Sequence, residues 1–470
     1  MLKLLIIAQI AFTPFTLRTY DGQTHNIEIG KIAVGARDTV AFYRLRSRSD
    51  VAKAPPTVFL MGGPGIPATV MAPIPPYWAV FDKLREFGDV IVLDQRGLGL
   101  SSPKVDCPPL STPFDTAFLT SNAALVASYR KVVAACANYW RSKGVDPRQY
   151  SDIAIAEDIE RIRIGLRAAK VRLLGFSYGT RLAMTYARRY PRNVESMVLQ
   201  GPTDPDLEYH ESLQRDSLLL RMTTMAAKDT FTAAFAQNLI PRIRTLLDRA
   251  AQNPILVRIR RTQGDSVVVP VGGDGLRGIV EGHITDSRLP AFIATTENGD
   301  LTILTQWVEG MYNDFGGGAG TLMARAMNCS ARASAARRQH VDSLAKRSLF
   351  GLAFDNFAAD PEFCSALGGE SPAIQPRLSK PIAAPVFFIT GELDDRTPPG
   401  NDAVLAREFT NSTRLVVANG GHELLPMGQV QNVVMDFFAG ADVRDRTVRD
   451  EPRRFMPIEM AKQPPRRRGQ

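Results

Sequence analysis

Apolar positions along this chain follow two rhythms. Residues 27–34 and 39–45 are rich in β-branched and aromatic side chains around a Gly-Ala-Arg-Asp turn, which predicts two strands. Short apolar runs then recur: Pro56-Thr57-Val58-Phe59-Leu60, Asp89-Val90-Ile91-Val92-Leu93, Val171-Arg172-Leu173-Leu174 and Val194-Glu195-Ser196-Met197-Val198-Leu199. Helical spacing fills the gaps at 124–140, 153–170 and 180–187. Strands alternating with helices predict βαβ units and an α/β fold with a mostly parallel sheet. From about Thr203 to Leu378 helical stretches dominate, at 213–235, 239–251 and 324–349, with Gly316-Gly317-Gly318 breaking the middle. The sheet pattern resumes at Ile382, with Pro385-Val386-Phe387-Phe388-Ile389-Thr390 and Thr413-Arg414-Leu415-Val416-Val417 as strands. No internal repeat is evident.

Candidate chemistry sits where the apolar runs stop. Gly175-Phe176-Ser177-Tyr178-Gly179 falls between a strand and a helix, the layout of a nucleophile elbow. So tight a turn needs nearly side-chain-free neighbours, and it aims the Tyr178 N–H at a developing oxyanion. Met61-Gly62-Gly63-Pro64-Gly65 lets backbone approach a substrate carbonyl. Pro64 has no N–H, so Gly63 is the expected second donor and Gly62 the next choice. Asp394 lies just past the C-terminal end of the strand 385–390, where a carboxylate can reach an imidazole, with Asp395 adjacent and able to take its place. Of five histidines, only His422 follows a strand on a glycine-bearing loop, placed to move a proton. His25, His210, His283 and His340 read as solvated or structural.

In order, G-G-P-G, Asp94-Gln95-Arg96-Gly97-Leu98-Gly99-Leu100-Ser101, G-x-S-Y-G, G-E-L-D-x-x-T-P and G-G-H resemble the prolyl-aminopeptidase (proline iminopeptidase) branch of the α/β-hydrolases. Among its members the chain looks most like the secreted tripeptidyl-aminopeptidase-like ones, over roughly 25–205 and 375–440. The resemblance implies an α/β-hydrolase fold with a large, mainly helical cap inserted before the aspartate strand. It implies a triad of Ser177, Asp394 and His422, an oxyanion hole of Gly63 and Tyr178, and structural roles for Asp94, Gln95 and Arg96. Three positions depart from the family pattern. Met61 stands for the histidine opening the glycine loop, Gln200 for an aspartate, and Asp395-Arg396 for Pro-Val.

The expected organisation is a first core part over 1–202, a cap over 203–378, a second core part over 379–440 and a basic, disordered and solvated tail over 441–470. That tail has nine Arg/Lys against five Asp/Glu, but no recognition motif or aromatic platform for nucleic acid accompanies it. No apolar run reaches the eighteen residues of a membrane span. Residues 1–24 read either as a signal segment or as a buried first strand. Cys107, Cys136, Cys329 and Cys364 form no metal-ligand spacing; an even set suits disulfides, and 107–136 with 329–364 is the expected pairing. Export is the favoured location, with a cytoplasmic one as the alternative. No metal or cofactor is called for, and the oligomeric state stays open.

The leading functional expectation is a serine hydrolase releasing N-terminal residues from peptides; an esterase or amidase on small acyl substrates is the alternative. Asp204, Asp206, Glu208 and Glu211 are the candidates to hold a substrate ammonium. Serine at the elbow excludes the aspartate-ester chemistry of dehalogenases and epoxide hydrolases.

Overall fold

The computed structural model describes residues 9–48, 55–108, 110, 114–316, 322–330, 333–353, 356, 364–367 and 380–464. Among these, nine strands form one sheet in the order β1-β2-β3-β5-β4-β6-β7-β10-β11. β1 (Ala11–Arg18), β2 (Thr24–Ala33) and β3 (Thr39–Leu45) are antiparallel, and β3 is antiparallel to β5 (Val90–Asp94). From β5 through β4 (Thr57–Leu60), β6 (Val171–Phe176), β7 (Val194–Gln200), β10 (Val386–Gly391) and β11 (Ser412–Val417) every pairing is parallel. Every residue of β4, β5 and β10 is buried. Parallel strands covered on both faces need continuous apolar runs, which is why the sequence shows no alternation there.

Helices cover both faces. α1 (Pro75–Leu84) and α13 (Gly428–Phe438) pack on one. On the other lie α2 (Asn122–Ser142), α3 (Asp152–Gly165), α4 (Tyr178–Arg189) and α12 (Asn401–Ala406). Between β7 and β10 the chain builds a second core from α5 (Ser212–Ala226), α6 (Leu239–Gln252), α7 (Gly273–Gly282), α8 (Leu289–Glu297) and α9 (Thr302–Gly316). That core includes Leu393, the neighbour of Asp394.

Four local outcomes differ from the sequence reading. The inserted region is mainly helical as expected, but it also carries a hairpin the sequence reading did not predict: β8 (Ile255–Arg260) and β9 (Ser266–Val271) are antiparallel, and their Val257, Ile259, Val269 and Val271 face the second core. α10 (Leu322–Ser330) leaves that core and packs into the cluster on the α2 side, while α11 (Ala335–Ala345) follows it. The tail is not simply solvated. Val443, Val448, Phe455 and Ala461 are buried, and α14 (Ile458–Ala461) docks on α8. Its charges mask the apolar positions that anchor it; residues 465–470 lie outside the described residues. Finally, Ala11–Arg18 is a sheet strand in register with β2, inside the span read as a signal segment, whereas residues 1–8 lie outside the described residues.

Candidate active site

Ser177 stands between β6 and α4 with φ 54° and ψ −125°. Left-handed backbone on a non-glycine residue is costly and concentrates at functional sites. The glycines around it are forced by contact. A Cβ on Gly179 would lie 1.9 Å from the Leu60 carbonyl oxygen, and one on Gly175 would lie 2.9 Å from that of Gly179. β6 and α4 thus cross at backbone contact, which turns the serine outward. A Cβ on Gly62 would meet Ser177 Cβ at 2.7 Å, so the glycine loop after β4 lies directly over the elbow.

Asp394 is almost wholly buried and accepts from His422 Nδ1 at 2.9 Å. That bond sets the tautomer and leaves Nε2 as the basic nitrogen. Three more donors hold the carboxylate: the Arg396 and Thr397 N–H at 2.8 Å each and Thr397 Oγ1 at 2.7 Å. Asp395 points elsewhere, accepting from Thr285 Oγ1 at 3.0 Å. His422 keeps 22 % of its side-chain exposure and tilts against the Phe176 ring, centroids 5.1 Å apart. Ser177, Tyr178, His422, Gly63, Phe176, Thr203, Glu208, His210, Arg396 and Thr397 are among the residues on one cavity of about 380 Å³. Gly63 reaches this cavity; Gly62 is not on its wall.

The Asp-Gln-Arg segment supports the glycine loop from behind. Asp94 accepts from Thr69 N at 2.9 Å, Thr69 Oγ1 at 2.6 Å and Leu100 N at 2.8 Å. Gln95 Nε2 donates to the Met61 carbonyl at 3.0 Å, and buried Arg96 pairs with Asp158 at 2.6 Å. Gln200, a departure from the related motif, donates through Nε2 to the His422 carbonyl at 2.6 Å and accepts from Leu424 N at 3.3 Å. A carboxylate could accept but not donate there. The amide therefore clamps both sides of the histidine loop.

The four acidic candidates separate clearly. Asp204 is buried beside Arg188, Asp206 accepts from Ser334 N at 2.6 Å, and Glu211 pairs with Arg337. Each is spent on structure. Glu208 alone of the four lines the cavity of Ser177 and His422. Its partner Arg181 is 1 % exposed and also donates through Nε to Asp152 at 2.6 Å; Asp152 in turn accepts from the Tyr178 hydroxyl. Removal from water pushes the Glu208 carboxyl up to about 7 despite Arg181.

His25 and His283 stack on Trp78 and Trp307, and His340 is exposed. His210 was read as structural. Its main chain is clamped by Asn356, and it lines both the Ser177 cavity and a second one of about 250 Å³. Thr397 and Arg396 are the other residues the sequence reading missed; the T-P of the aspartate motif was the visible signal. The sulfurs of Cys107 and Cys136 are 1.96 Å apart and those of Cys329 and Cys364 2.05 Å apart. Among the described residues no group of three or more metal-ligating side chains occurs, and no helix is long and apolar enough to cross a membrane.

Comparison with known proteins gives a consistent family. Residues 55–428 match the model of the alpha/beta hydrolase fold. YuaR of Escherichia coli is 31 % identical over 153 residues, 32 % of this chain and 28 % of that protein. Serine protease Hip1 of Mycobacterium tuberculosis is 28 % identical over 165 residues, 33 % of this chain and 31 % of that one. A proline iminopeptidase of Xylella fastidiosa is 26 % identical over 151 residues, 31 % and 32 % of the two chains. The matches thus span about a third of the length of these curated relatives. A proline iminopeptidase-related protein of Thermus thermophilus has a solved structure with TM-score 0.37 and 16 % identity, covering 88 % of this chain and 97 % of that one. With the family model matching most of its length and the parallel sheet carrying its serine at the β6–α4 turn, this chain belongs to the alpha/beta hydrolase fold family.

Proposed function

We propose that this hydrolase is a serine aminopeptidase that releases N-terminal residues from peptides. The observation that carries the reading is Glu208 on the wall of the cavity that holds Ser177 and His422. A free α-ammonium placed there without a negative partner would cost several kcal/mol, and Glu208 supplies one. The names of two relatives, a serine protease and a proline iminopeptidase, point the same way.

In this reading Ser177 Oγ attacks the scissile carbonyl carbon and passes its proton to His422 Nε2. Asp394 stabilises the imidazolium that forms. The N–H groups of Gly63 and Tyr178 take the oxyanion. Collapse breaks the C–N bond as His422 returns the proton to the leaving amine. Water then attacks the acyl-enzyme carbonyl and gives a proton to His422; the bond between that carbon and Ser177 Oγ breaks, His422 returns the proton to Oγ, and the N-terminal fragment leaves as an acid. The two disulfides favour an oxidising, extracytoplasmic setting for this work.

The deciding experiment is turnover of a peptidyl-nitroanilide with its N-terminus free and acetylated. Blocking removes the charge that Glu208 reads, so kcat/KM should fall about ten- to a hundredfold, the effect of one charged hydrogen bond. Ser177→Ala should abolish both rates and block labelling by a fluorophosphonate. Equal rates for free and blocked peptides, or turnover of esters alone, would replace this reading with the esterase one.

A further inference from the structure

Asp395 and Arg396, where the chain departs from the related motif, go to different places. Asp395 bonds Thr285 and lines the second cavity, while Arg396 lines the one that contains Ser177, His422 and Glu208. Its N–H is one of the donors that fix Asp394 at 2.8 Å, so the residue is anchored beside the triad. Its side chain is exposed, and among the described residues no carboxylate pairs with its guanidinium. The neighbouring arginines behave otherwise: Arg181, Arg188 and Arg337 are each held in ion pairs. One cavity therefore offers a carboxylate from the loop after β7 and an uncommitted guanidinium from the loop after β10.

We propose that Arg396 determines specificity by binding a carboxylate on the leaving part of the substrate, which makes peptides that carry such an anion beyond the scissile bond the favoured class. The side of the cavity follows from His422. Arg396 belongs to the loop that orients this imidazole, and the imidazole must protonate the departing amine. The planar fork of a guanidinium matches a carboxylate with two parallel donors. Two sources carry that group: the free C-terminus of a di- or tripeptide, and an acidic side chain just after the scissile bond. The inference rests on the peptidase reading and adds a substrate class to it.

The test compares kcat/KM for free-amine peptides whose leaving part is glycine, glycinamide or aspartic acid α-amide, in wild type, Arg396→Gln, Arg396→Lys and Arg396→Glu. In parallel, two phenyl acetates carry a para carboxylate or a para carboxamide, so the anion preference is also read on a substrate that needs no peptidase. Wild type should favour the carboxylate-bearing member of each pair by about three- to fivefold, the size of one solvent-exposed charged contact. Arg396→Gln should bring the ratio to about one relative to the intrinsic reactivities, Arg396→Glu should invert it, and Arg396→Lys should keep part of it. A gain for glycine identifies the terminal carboxylate as the ligand; a gain for the aspartyl amide identifies the side chain. Carboxylate preference in the esters without any peptide turnover would sink the peptidase reading and leave the role of Arg396 standing. A wild-type ratio of one in both series, or a ratio that Arg396→Gln leaves unchanged, overturns the proposal.

Discussion

Glu208 and Gln200 show how single polar atoms tune a site built on rigid strands. Burial raises the Glu208 carboxyl from 4.5 to about 7, so in the proposed aminopeptidase the charge that would meet a substrate ammonium appears only as pH rises through about 7. The ammonium itself is lost above roughly pH 8. The ratio of kcat/KM for a free-amine peptide to that for a neutral ester cancels any pH dependence the two reactions share. It should peak between about pH 7 and 8 and flatten in Glu208→Gln. Stability carries the opposite slope. The folded state holds this proton to higher pH than the unfolded one, so the contribution is full below 4.5 and is lost as pH rises through about 7. Urea denaturation at pH 5 and 8 should show that slope in wild type and a shallower one in Glu208→Gln. Gln200→Glu tests the other clamp. It keeps the shape but sets an oxygen against the His422 carbonyl, 2.6 Å from the present donor. Activity should fall about ten- to a hundredfold, with the loss in kcat, because a misplaced imidazole weakens the transition state.

At the scale of elements, the turn from β6 to α4 depends on the absence of a side chain at one position. A Cβ on Gly179 would overlap the Leu60 carbonyl, which is main chain of a central strand and cannot swing away. Gly179→Ala should therefore cost more than about 3 kcal/mol, or prevent folding, by forcing β4 and α4 apart. Gly282 at the end of α7 has open space around it, and Gly282→Ala should be neutral or slightly stabilising, by up to about 1 kcal/mol. Thermal denaturation of the two variants separates a contact effect from glycine's general helix cost. The glycines of G-x-S-x-G were legible as a motif. Their physical reason was not, since Leu60 lies far from Gly179 in sequence and meets it only because β4 and β6 are neighbours.

At the scale of the whole molecule, the described residues form one large apolar cluster on each face of the sheet and a third in the insertion, with the cavity that holds Ser177 and His422 at the parallel strands' C-terminal ends. Cys107–Cys136 and Cys329–Cys364 close loops of 29 and 35 residues within or against the sheet's own cluster. By chain entropy each should contribute about 3–4 kcal/mol. Replacing one pair by serine should lower the urea midpoint accordingly, and replacing both should give less than the sum, because the segments share neighbours in one cluster. A midpoint that does not move when either pair is removed would deny the bridges a stabilising role. The N-terminal strand extends the sheet beyond β2, and the tail crosses back so that Met456 N bonds the Ser287 carbonyl at 3.0 Å. The strand was one of two readings of residues 1–24, though it is mostly exposed at a sheet edge rather than buried, while the docked tail was not legible because its few buried residues are scattered among charges.

The sequence by itself determined the parallel sheet and the order of the candidate residues. Doubly buried strands demand unbroken apolar runs, and the chain places its serine and aspartate just past two such runs, β6 and β10, and its histidine on the loop after the half-exposed strand β11. Only the tertiary structure decided which of four acidic residues reaches the cavity. Asp204, Asp206, Glu208 and Glu211 lie within eight residues of one another, and nothing local separates them. The partners that claim three of them, Arg188, Ser334 and Arg337, come from α4 and from the far end of the insertion. Arg396 is the same lesson with the sign reversed. Its charge was plain in the sequence, but that no carboxylate among the described residues pairs with it depends on where the fold places each of them.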